Sequence, residues 1–86
     1  MVALPVFDDH RIQLNRWVDA LDAGRRAAVQ RAIAKALVKL LRVRGSKRHT
    51  RLAEYLELAH LALHTGQGPG ARYILVSALT SLGWRD

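Results

Sequence analysis

"RRAAVQRAIAKALVKLLRVR", residues 25–44, decides how this chain folds. Val29, Ile33, Leu37 and Leu40 recur at i, i+4, i+8 and i+11, with Ala36 and Val43 alongside. This is the 3.6-residue period of an amphipathic α-helix with one buried stripe. On the opposite side Arg31, Lys35, Lys39 and Arg42 repeat the same spacing, spanning roughly 16 Å at about 1.5 Å per residue. One segment therefore specifies a core-facing helix and a cationic ridge together.

Upstream, Gly24 suits the end of an earlier helix, expected over residues 8–22. Asp8 is placed to cap it, Phe7 to staple onto Ile12, and Leu14, Trp17, Val18 and Leu21 share one face. Downstream, Gly45 suits a left-handed closing position, with Arg42 and Arg44 in the last turn where cations favour the helix dipole. A next helix capped by Ser46 would place Lys47 and Arg48 in its first turn, where positive charge is disfavoured. Capping by Thr50 places Glu54 near that end instead, so residues 45–50 are expected as a short, exposed basic loop.

The third helix, residues 51–65, has Leu52, Tyr55, Leu56, Ala59 and Leu63 on one stripe. Leu58 and Leu61 fall outside it and need a second surface, either the last helix or another copy of the chain. "TGQGPG", residues 65–70, breaks the chain: Gly66 can end one helix and Pro69 fits the first turn of another. The last helix, residues 70–82, presents Ile74, Leu75, Ala78, Leu79 and Leu82. Its "YILV" is β-branched enough for a strand, but a lone strand in a helical chain has no partner. The expected fold is all-α: one compact four-helix domain over residues 1–86, with a homodimer as its candidate assembly.

Composition narrows the functional classes. The chain has 86 residues, half of them apolar, which suits one folded domain with a modest core. It has no cysteine, which excludes disulfides and thiolate-bound metal. "MVALPVFDD" lacks the basic start of a signal peptide, and no apolar run approaches membrane-spanning length, so a cytoplasmic location is expected with no membrane partner.

The net charge of +7 is unevenly placed. Residues 1–24 sum to −2 and residues 52–86 to −1, whereas residues 25–51 hold ten basic and no acidic side chains. An ordinary solvated helix mixes Glu with Lys to gain i,i+4 pairs. Here the missing counter-charge points to a polyanionic ligand.

Other constellations carry less. Glu57, His60 and His64 lie on one side of the third helix, but they lack the HExxH order and cannot close a tetrahedral site alone, so no metal or other cofactor is expected. Asp8 and Asp9 are explained by a helix start. Ser46, Ser77 and Ser81 have no nucleophile context, and "GQGPG" lacks the P-loop lysine, so no catalytic residue is assigned and no enzyme is expected. The second and third helices are in helix-turn-helix order, but the basic loop is longer than the usual tight turn and the third helix is too apolar for a recognition helix.

The sequence thus predicts a nucleic-acid-binding accessory or regulatory protein, favouring DNA over RNA. Its contacts to phosphate would be Arg31, Lys35, Lys39, Arg42, Arg44, Lys47, Arg48 and Arg51. Leu58 and Leu61 are the expected self-association residues. The alternative is a protein-interaction module, an inhibitor or adaptor, using the same basic patch on an acidic protein.

Overall fold

A computed structural model of the chain describes residues 5–42 and 47–81, with side chains for 10–42 and 49–81. Four helices carry it: α1 (Pro5–Asp22), α2 (Arg26–Arg42), α3 (Lys47–His64) and α4 (Gly68–Ser81). There is no strand among the described residues, and residues 73–76 are helical. Leu75 is fully buried there, with Ile74 and Val76 packed at the core's edge.

Glycine ends two of the helices. Gly24 and Gly66 sit at φ of 82° and 80°. At the first, the Arg25 N–H donates to the Ala20 carbonyl at 2.9 Å and the Gly24 N–H to Leu21 at 3.0 Å. At the second, Gln67 donates to Ala62 at 2.7 Å and Gly66 to Leu63 at 3.1 Å. Both are Schellman closures, in which two otherwise orphaned carbonyls are satisfied by a chain turning left-handed. The links 23–25 and 65–67 are accordingly tight.

The helix starts differ from the sequence expectation. Pro5 opens α1, where its missing N–H costs nothing, so Asp8 falls within the helix instead of capping it. The staple from Phe7 lies outside the described side chains. Gly68 rather than Gly70 begins α4, with Pro69 in its first turn.

The larger correction is at α3, which begins at Lys47: residues 47–50 are helical and do not belong to a loop. The dipole penalty used to place the start at Thr50 is only about 0.3–1 kcal/mol per charge. Against it stands a tertiary contact, because the His49 ring meets His10 of α1 edge-on, with centroids 6.1 Å apart and planes at 87°. Such aromatic pairs contribute about 0.5–1.5 kcal/mol. Leu52, in the same early stretch, is almost fully buried.

Each helix packs on its chain neighbours, and α1 closes the ring against α4. Within the ring lie Leu14, Ile33, Leu52, Leu56, Leu75 and Leu79, all essentially without solvent contact. Burial of each stabilises the fold by about 1.5–3 kcal/mol before entropy is counted. All of these belong to the stripes read from the sequence. Polar links brace the seams. Arg72 Nε donates to Asp22 Oδ1 at 2.7 Å, tying α4 to α1, and the Tyr55 hydroxyl donates to Ser81 Oγ at 2.7 Å, tying α3 to α4. Arg26 lies across Gly68, and its guanidinium donates to the Gly66 carbonyl at 3.4 Å. Among the described residues no helix is long and apolar enough to cross a membrane.

Candidate functional site

The ridge on α2 follows from the helix period. Val29, Ile33 and Leu40 turn into the core, which leaves Arg31 and Arg42 on the far side and Lys35 and Lys39 on the flank toward α1, all exposed. Arg51, one helix on, is exposed as well. Arg44 lies outside the described residues, and Lys47 and Arg48 are placed on the first turn of α3 with side chains outside them. The structure thus brings the four α2 cations into one ridge.

No carboxylate neutralises that ridge among the described residues, where the ion pair present is Arg72 with Asp22. Where the nearby acids go explains this. The hydrogen bond that Arg72 donates to Asp22, then the charge of Asp22 and that of Asp19, push the Arg72 guanidinium above its ordinary value. Asp22 is therefore held on the α4 side, away from α2. Glu54 and Glu57 stand on the exposed face of α3, flanking Leu58 and Leu61. Along α2, Arg31 and Lys35, then Lys35 and Lys39, are like-charged i,i+4 neighbours, each pair destabilising the helix by about 0.2–0.5 kcal/mol.

Apolar side chains interrupt the polar surface. Val38 and Leu41 are 50% and 67% exposed beside the α2 cations, and on α3 Leu58 and Leu61 are 54% and 58% exposed. The last helix does not cover Leu58 and Leu61, so that option for their burial is removed. Tyr73 of α4 is also open to solvent.

Glu57, His60 and His64 do not assemble into a centre. Among the described residues no group of three or more His, Asp and Glu could hold a metal ion. His60 is half-buried, whereas Glu57 and His64 are exposed.

Between α1 and α2 runs a cleft of about 300 Å³, lined by His10, Gln13, Trp17, Ala32, Lys35, Ala36 and Lys39. The small side chains of Ala32 and Ala36 face α1 here and leave space that a larger residue would fill. Trp17 is 6% exposed, as its place on the apolar stripe predicts, yet its indole N–H is buried without an acceptor. A buried unpaired donor costs about 1–3 kcal/mol.

No family model matches this chain, and no curated protein or solved structure matches it. The site must therefore be read from its own chemistry. Sequence reasoning found the ridge but missed the cleft. A signal for it was present: two alanines at i,i+4, flanked by two lysines at the same spacing, opposite a tryptophan. Val38 and Leu41 were also missed, because they lie between the apolar stripe and the cationic one.

Proposed function

We propose that this chain is a small, cytoplasmic, non-enzymatic nucleic-acid-binding factor with an accessory or regulatory role. It grips phosphates through the α2 ridge and the first turns of α3, favouring DNA over RNA. One observation carries the reading: Arg31, Lys35, Lys39 and Arg42 are exposed on one face with no carboxylate partner among the described residues. Four cations along roughly 16 Å can neutralise several phosphates with release of bound counterions. The ridge from residue 31 to 42 contains no Asn, Gln or aromatic residue to read adenine or stack on a base, so little base readout is expected beyond what its arginines and lysines could make with guanine.

The test is fluorescence anisotropy with random-sequence DNA and RNA duplexes over a salt series. With four to six phosphates neutralised, log affinity falls against log salt with a slope of roughly −4 to −5. Changing Lys35 and Lys39 to Glu weakens binding to all sequences alike. No detectable binding at low salt would sink the reading.

The exposure of Val38 and Leu41 among the cations favours a second reading, a protein-interaction module that docks on an acidic partner. Such a module ignores bulk nucleic acid and retains a single partner, with much weaker salt dependence once docked. Self-association belongs to either reading, and Leu58 and Leu61 are its proposed contact.

A further inference from the structure

We propose that the cleft between α1 and α2 is a seat for one phosphate group, held by the ammonium groups of Lys35 and Lys39. This rests in part on the nucleic-acid reading, because the same seat takes a backbone phosphate, but it specifies where on the ridge that group is fixed.

The geometry begins with spacing. Lys35 and Lys39 are one helical turn apart and both line the same cleft, so their flexible side chains can reach a common anion there. Lysine binds phosphate as a point charge with three donors, and two of them set over a concave surface surpass a flat row. The walls complete the case. Among the described residues no carboxylate lines the cleft, and Asp22 is paired with Arg72. Gln13 adds a side-chain amide at the rim, and His10, engaged edge-on with His49, stands at one end. Beneath them Trp17 contributes its ring to the wall, while its indole N–H is buried out of solvent contact and serves as a reporter and not as a ligand. Among the described lining residues the formal charges are those of the two lysines, both positive, which suits an anion. Apolar walls at Trp17, Ala32 and Ala36 lower the local dielectric and strengthen the attraction. Arg31 and Arg42 lie on the same helix but do not line the cleft, so they meet neighbouring phosphates instead.

Trp17 supplies the readout. In the full ¹⁵N-labelled chain the two tryptophans give two indole N–H resonances, and Trp84→Phe identifies the one from Trp17. Inorganic phosphate is titrated at constant ionic strength against a chloride control, followed by a short DNA duplex. The expected result is a saturable movement of the Trp17 indole resonance with phosphate and with DNA, absent in chloride. In the Lys35→Gln, Lys39→Gln double variant the apparent phosphate affinity falls at least about tenfold. A Trp17 resonance that ignores both ligands, or a shift that survives the double change, overturns the seat. The two ideas also fail separately. DNA binding without movement at Trp17 removes the seat and leaves the nucleic-acid reading, whereas movement with phosphate alone keeps the seat and assigns it to a free phosphate ligand.

Discussion

Gly24 is the residue whose contribution is simplest to isolate. Its φ of 82° lies in the left-handed region, yet a Cβ added there would meet nothing within 4 Å. Gly24→Ala therefore introduces backbone strain with no clash, and should destabilise the fold by about 1–2 kcal/mol in urea unfolding. A loss much above that would reveal a packing role that the open surroundings of Gly24 do not suggest. Gly68 differs in kind: a Cβ would come within 2.9 Å of Arg26 Cδ. A side chain there would have to displace the flexible Arg26 lying across it, and this close approach was invisible in a sequence that offered "GQGPG" only as a break. Trp17 teaches a related lesson, since its place on the apolar stripe correctly predicted burial while concealing an unpaired donor in the core.

Among the elements, α3 is the least self-sufficient. Leu58 and Leu61 stand exposed between Glu54 and Glu57, and leaving them in water forgoes about 1.5–3 kcal/mol each. Changing both to Ser should leave the helical circular dichroism signal intact and, where the wild type associates, shift sedimentation toward monomer. A wild-type chain that stays monomeric at high concentration removes the dimer. For α2 the expected outcome is a trade. Replacing Lys35 and Lys39 with Glu leaves positions 35 and 39 like-charged but turns their pairing with Arg31 and Arg42 from repulsive to attractive, so thermal stability rises slightly as nucleic-acid affinity falls. Stability lost together with affinity would show instead that the lysines support the fold. Helix identity was legible because the 3.6-residue period on all four segments is set by local pattern. Helix starts were less so: Pro5 and Lys47 begin their helices through a proline allowance and a ring contact with His10, and the second of these connects residues distant in sequence. The cationic ridge was legible for the same reason as the helix that bears it. The cleft was not, because it exists only where two alanines of one helix come to face the tryptophan of another.

For the whole molecule, ionic strength acts in opposite directions on two properties. The uncompensated cations on α2 repel one another through solvent over a screening length of about 8–10 Å at ordinary salt. Raising salt from about 50 to about 200 mM should raise the melting temperature while lowering DNA affinity steeply. Melting curves and binding isotherms in the same buffers check this, and a melting temperature that falls with salt would mean that attractive pairs dominate the surface. The ring of helices also has a consequence in time. Three of its seams join helices adjacent in the chain, so their closing loops are short and inexpensive in entropy. The α1–α4 seam alone spans the length of the fold, and it carries the link from Arg72 to Asp22 across 50 residues. Long-range closure of this kind is expected to form late, on the native side of the folding barrier. Asp22→Asn should accordingly hasten unfolding and leave the refolding rate nearly unchanged, so the pair acts as a latch on the lifetime of the native state and has little part in reaching it.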